Sequence, residues 1–241
     1  MFLSRGKAAV IQREAGILPC RDNPVWFIEI TQPHRLYISI NSLPLDNHTM
    51  NEKPKILVFS GSARTGSLNK KLAAVAARAT ETAGGAVTLI DLRDYPLPVY
   101  DGDLEASQGL PENAKRLKRL FVEHRGLLIS SPENNASVSA CLKNTLDWIS
   151  RADSDMNGSV PYQGKIAGLL AASPGALGGI RGLPHLRQIL DTLGVLVLPG
   201  AVGVGKADTV FSPEGELTEA RYQTSVKGLC ERLVDACRRF T

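Results

Sequence analysis

The densest run of chemically useful side chains is Ser60-Gly61-Ser62-Ala63-Arg64-Thr65-Gly66-Ser67-Leu68-Asn69. It follows the apolar run Ile56-Leu57-Val58-Phe59 and precedes Leu72, Val75, Ala76 and Ala79 at helical spacing, so the order is strand, polar turn, helix. Such a turn aims backbone N–H groups and the positive end of a helix dipole at one spot, which suits an anion. Ser62, Thr65, Ser67, Asn69 and the Arg64 guanidinium add donors for phosphate oxygens. A triphosphate loop needs Lys directly after its second glycine, and Ser67 stands there. A dinucleotide loop needs Gly-x-Gly-x-x-Gly, and Ala63 occupies its second glycine. A terminal monophosphate fits this donor set best. The plainer alternative is a polar strand-to-helix loop whose hydroxyls only cap the helix.

A second polar loop, Pro132-Glu133-Asn134-Asn135-Ala136-Ser137, follows the apolar strand 126–131 and offers amide edges and backbone groups to a flat heterocycle. Between and after these loops the pattern alternates. Strands are expected at 56–59, 86–92, 126–131, 165–172 and 195–198, and helices from 68, over 111–124, 138–151 and 183–193, and over 217–240. Residues 95–103 read as a proline-rich loop and 173–181 as a glycine-rich one. Five strands alternating with five helices predict an α/β fold: a doubly wound sandwich with a five-stranded parallel sheet in the order 2-1-3-4-5 and helices on both faces. Ligands of such sheets bind at the carboxyl edge where strand order reverses, between the first and third strands, and that places the two polar loops face to face.

The chain has 241 residues, 43% hydrophobic, with a net charge of +4 and scattered Lys and Arg, so nucleic acid is not indicated. No run approaches the roughly 18 apolar residues of a membrane span, and no secretory signal is visible, which points to the cytoplasm. Cys20, Cys141, Cys230 and Cys237 form no Cys-x-x-Cys pair; the last two share a helix face and read as core residues. Lys143 and Asp147 read as a helical charge pair rather than a catalytic dyad. His124 and His185 carry no expected catalytic role, and no metal site is expected. Residues 1–49 have no helical period, though 26–30 and 36–40 suit a hairpin across Thr31–Arg35. The domain is expected to start at Met50, with 1–49 an N-terminal extension that is disordered or a mis-assigned start; a functional appendage is the alternative.

Four segments in order resemble the NADPH-dependent FMN reductase family of flavodoxin-like proteins: Gly61 to Asn69, Pro132 to Asn135, Leu142 to Trp148, and Ser173 to Arg181 with Leu186-Arg187. The resemblance implies a flavodoxin-like fold, FMN as cofactor, NADPH or NADH as co-substrate and hydride transfer through flavin N5 to quinones or similar small acceptors. It implies a homodimer or homotetramer. Cofactor-binding residues carried over are Ser62, Arg64, Thr65, Ser67, Leu68 and Asn69 at the phosphate, Pro132, Glu133, Asn134 and Asn135 at the isoalloxazine, and Ser173 on its far side. No catalytic side chain is expected, because the reactive atoms belong to the cofactors. The family usually has Tyr where Asn134 stands, so one wall of the flavin pocket differs. The other reading is an FMN-binding electron carrier or redox-responsive binder without fast NAD(P)H turnover. A receiver domain and a low-molecular-weight phosphatase are excluded: Ser60 and Ser131 replace the acidic residues of the first, and the first loop lacks the cysteine of the second.

Overall fold

The computed structural model describes residues 26–28, 38–40 and 52–240, which fall in two units, Met1–Glu52 and Lys53–Thr241. In the first unit β1 (Trp26–Ile28) pairs antiparallel with β2 (Ile38–Ile40), Phe27 opposite Ser39. The expected turn at Thr31–Arg35, Cys20 and the expected start at Met50 lie outside the described residues.

The second unit contains β3 (Lys55–Ser60), α1 (Leu68–Thr82), β4 (Ala86–Asp91), α2 (Gly102–Gln108), α3 (Glu112–Glu123) and β5 (Gly126–Ser130). It continues with β6 (Glu133–Asn134), β7 (Ser137–Val138), α4 (Ala140–Ile149), β8 (Ile166–Ala172), α5 (Gly182–Thr192), β9 (Leu196–Val197), β10 (Val202–Val204) and α6 (Ala220–Arg239). The main sheet is parallel and ordered β4-β3-β5-β8-β10, with β9 also paired to β8. This is the expected 2-1-3-4-5 order, with its fifth member in two pieces.

The central strands lack polar alternation because both faces are covered. Ile56 and Val58 join one core with Leu72 and Ala76 of α1 and Leu229 and Leu233 of α6. Leu57 and Phe59 point the other way, into a core with Leu117 and Phe121 of α3, Leu146 of α4 and Leu186 of α5. All four strand residues are fully buried, so truncating Phe59 to Ala is expected to cost about 3–5 kcal/mol.

Several elements differ from the sequence expectation, among them the last helix, which starts at Ala220 rather than 217. The loop expected over 95–103 is shorter, because Asp101 accepts hydrogen bonds from the Asp103 and Leu104 N–H groups and starts α2. Helix α4 begins two residues later than expected, with Ser139 as its N-cap and Val138 in β7. The fifth strand is interrupted: Leu198 N–H still donates to Ala167, but Pro199 has no N–H and Gly200 has φ +79°, so the chain leaves β8 and rejoins it at Val202.

Candidate functional site

The carboxyl ends of β3, β5 and β8 frame a cleft of about 450 Å³. Ser62, Arg64, Ser67, Leu68 and Asn69 line one side, Pro132, Glu133 and Asn134 another, and Ser173 a third. Nine of the expected site residues therefore converge from stretches over a hundred positions apart. Thr65 is exposed, and neither it nor Asn135 is among the lining residues. Ser139, Ala140, Cys141, Ala172 and Pro174 also line the cleft and were not foreseen.

The first loop is held in shape from several directions. Gly61 N–H donates to Ser130 O at 2.9 Å, and the Ser139 hydroxyl donates to Gly61 O while accepting the Leu142 N–H at the head of α4. A Cβ at Gly61 would lie 2.8 Å from that of Leu142, so the loop approaches α4 as closely as glycine permits. Arg93 Nε donates to Ala63 O at 3.0 Å, and Arg64 Nη2 to Gly66 O at 3.0 Å. These contacts leave donors for a ligand. Ser67, 4% exposed as a residue, is the N-cap of α1, yet its hydroxyl caps nothing, and the first N–H groups of α1 have no intrahelical acceptor. A hydroxyl, a guanidinium and a helix N-terminus around an open cleft fit a phosphate.

Asn69 plays a different part from the one expected of its side chain. The carboxamide is 3% exposed; Nδ2 donates to Ala172 O at 2.8 Å, and Oδ1 accepts from Ala172 N at 2.9 Å and from Ser130 Oγ at 3.0 Å. It pins α1 to β8 and β5, and the donors it leaves uncommitted are its backbone N–H and the second Nδ2 hydrogen. Glu133 is likewise a fastener: its carboxylate accepts from Arg181 Nε at 2.8 Å, from Arg181 Nη2 and from the Arg181 N–H at 3.0 Å. The Arg181 guanidinium beside it holds the Glu133 carboxyl below the usual carboxylate range, against the opposing effect of burial. This pair ties the β6–β7 hairpin to the start of α5, where His185 Nδ1 also meets Ser137 Oγ at 2.9 Å.

The hairpin turn has positive φ at both central residues, 50° at Asn135 and 61° at Ala136, the signature of a tight two-residue turn matched to strand twist. Asn tolerates that region, whereas Ala carries a strain of about 1 kcal/mol. Asn134, just before the turn, is exposed at the cleft rim. Cys141 forms part of the opposite wall, and burial pushes its thiol up. The other side chains behave as their sequence context suggested. Cys230 and Cys237 are buried, Lys143 pairs with Asp147 at 2.7 Å, and buried His124 bonds to Leu120 O and Thr88 Oγ1 away from the cleft. Among the described residues no group of His, Cys, Asp and Glu is placed to hold a metal, and no helix is long and apolar enough to cross a membrane.

A doubly wound parallel sheet whose first turn and third-strand loop meet over one cleft defines a flavodoxin-like fold. The sequence matches the NADPH-dependent FMN reductase family over residues 54–209, and the chain belongs to that family. It is 34% identical over 179 residues to an NAD(P)H-dependent FMN reductase of Pseudomonas aeruginosa, covering 74% of this chain and 92% of that one. It is also 34% identical over 149 residues to a quinone reductase of Escherichia coli, covering 62% and 76%. Among solved structures, the flavoenzyme NAD(P)H:(acceptor) oxidoreductase FerB of Paracoccus denitrificans superposes with a TM-score of 0.64 at 26% identity, covering 77% of this chain and 98% of that one. Membership makes the protein an NAD(P)H-dependent flavin oxidoreductase with FMN as cofactor and NAD(P)H as co-substrate.

Proposed function

We propose that the cleft between the 61–69 and 132–134 loops holds FMN, and that the protein passes reducing equivalents from NAD(P)H to quinones or similar small acceptors. The observation that carries this reading is Ser67, a buried N-cap whose hydroxyl is left for a ligand at the head of α1. In this reading Ser62, Arg64 and Ser67 bind the phosphate with the N–H groups of Leu68 and Asn69. Bound FMN supplies a hydride acceptor and donor at N5, between the nicotinamide C4 and the acceptor. The chain's own task is to orient and expose the ring. Pro132 and Asn134 flank it on one side and Ser173 on the other, while the Glu133–Arg181 pair keeps the hairpin from swinging. The exposed position of Asn134, where the family usually has Tyr, leaves one edge open and favours bulky or varied acceptors.

A homodimer or homotetramer is part of the proposal, supported by Leu177 and Ile180, exposed apolar side chains of the loop after β8. The test is anaerobic addition of NADPH to the FMN-loaded protein, followed by a quinone. The flavin absorption is expected to bleach and then to recover. No bleaching would remove the reductase and favour the carrier or binder without NAD(P)H turnover; bleaching without recovery would keep the NADPH step and remove quinones as acceptors.

A further inference from the structure

A second cleft of about 410 Å³ shares Ala63, Ala140 and Cys141 with the first, so one wall separates the two. Its lining is apolar and aromatic on the side of the 95–99 loop, with Leu92, Tyr95, Leu97 and Val99, and it holds one cation, Arg93. The loop is preformed. Asn113 Nδ2 donates to Pro96 O at 3.0 Å, Asn144 Nδ2 and Trp148 Nε1 each donate to Pro98 O at 2.8 Å, and Asn144 Oδ1 accepts the Tyr100 N–H at 2.8 Å. Two guanidinium groups serve it. Arg93 spends only Nε, on Ala63 O, and Arg116 lies over the Tyr95 ring at 4.7 Å from its centroid. Neither makes an ion pair among the described residues. Of the two carboxylates beside Arg93 in sequence, Asp91 is taken by Lys70 at 2.6 Å and by the Arg93 N–H, and Asp94 forms no ion pair among the described residues.

We infer that this second cleft receives the adenosine end of the co-substrate, with Arg93, assisted by the field of Arg116, binding the 2′-phosphate that distinguishes NADPH from NADH. The inference rests on the flavin reading of the first cleft. A dinucleotide that delivers nicotinamide to a flavin must lay its other base in an adjoining cleft, and this one shares a wall with the first, is rigid, and is lined for a flat base. A 2′-phosphate requires guanidinium nitrogens without a carboxylate partner, and the terminal nitrogens of Arg93 meet that need in a fixed position. Because Arg93 grips the phosphate loop through Ala63 O, the two clefts are also mechanically joined, so an occupant of one steadies the wall of the other.

The test is calorimetric titration of the FMN-saturated protein with adenosine 2′,5′-bisphosphate and with adenosine 5′-monophosphate, in the parent and in Arg93→Gln and Arg116→Gln. The parent is expected to bind the bisphosphate about tenfold or more tighter, the worth of one charge-assisted phosphate contact. The preference is expected to vanish in Arg93→Gln and to shrink in Arg116→Gln. Arg116 lies away from the first cleft, so FMN affinity in Arg116→Gln should equal that of the parent. Equal binding of the two nucleotides by the parent, or a preference that survives both substitutions, overturns the inference. So does displacement of the bisphosphate by a quinone that NADPH does not displace, which assigns the cleft to the acceptor. Failure to bind FMN at all is a separate outcome that removes the flavin reading and this inference together.

Discussion

Replacing Asn69 with Ala separates a structural role for this side chain from a direct role in holding phosphate. The carboxamide makes three hydrogen bonds of 2.8, 2.9 and 3.0 Å to Ala172 and Ser130. Both partners are almost wholly buried, Ala172 at 4% and Ser130 at 0% exposure. A buried hydrogen bond contributes about 1 kcal/mol net, and more when its removal strands a buried partner. Three of them put the cost of Asn69→Ala at about 3 kcal/mol, or a fall in Tm of about 6–12 °C for a domain of this size. Urea denaturation of the apo protein measures the first and thermal melting the second. At temperatures where the variant is fully folded, FMN affinity is expected to fall by less than about tenfold, because the carboxamide oxygen is fully engaged and only the second Nδ2 hydrogen is left uncommitted. Asn69→Asp should be at least as destabilising, since one of its oxygens must face the Ala172 carbonyl. A variant of parental stability that loses FMN would refute this reasoning and restore the side chain as a phosphate ligand.

Arg64→Ala is expected to weaken FMN by about 1.5–3 kcal/mol with little change in stability, because the side chain is exposed and its lost partner in the protein is only Gly66 O; equilibrium dialysis measures it. Ala136→Gly should raise stability by about 1 kcal/mol by relieving the positive φ, as read from the urea midpoint. The Glu133 carboxyl is held below its ordinary value by Arg181, so its contribution is fully present above that value and is lost as pH falls through the depressed one. Glu133→Gln should therefore flatten the acid limb of the stability curve. Lys165 has the opposite behaviour: burial lowers it to about 8, so the unfolded chain binds the extra proton between about pH 8 and 10.5 and stability rises across that window. Lys165→Met should lack that rise in denaturation measured across the same range.

The phosphate loop was legible because its chemistry is contiguous: strand, hydroxyl-rich turn and helix stand side by side in the sequence. Alternation gave the parallel sheet, 2-1-3-4-5 was the most plausible of the common orders for it, and the meeting of the first and third loops followed from that order. What stayed hidden depends on distant partners. Asn69 looks like a donor to a ligand alone until Ala172, far along the chain, is seen to engage its carboxamide oxygen and one Nδ2 hydrogen. Ser139 was obscured because helix α4 was expected from Val138, which placed its own cap inside it; a Ser directly before Ala140-Cys-Leu was the available signal. Helix α2 buries no residue, so it has no apolar period to read, and only Asp101 as a cap announces it. The broken fifth strand carried a mark, Pro199-Gly200, that ends one piece without revealing that the chain returns.

The central claim is that a phosphate held at residues 61–69 anchors the flavin, and comparison of FMN with riboflavin tests it most directly. Fluorescence titration of the apo protein is expected to give one tightly bound FMN per chain, with riboflavin weaker by about a hundredfold, as two charge-assisted phosphate contacts require. Equal affinity for the two flavins, or a protein that stays colourless after soaking in FMN and dialysis, would contradict it.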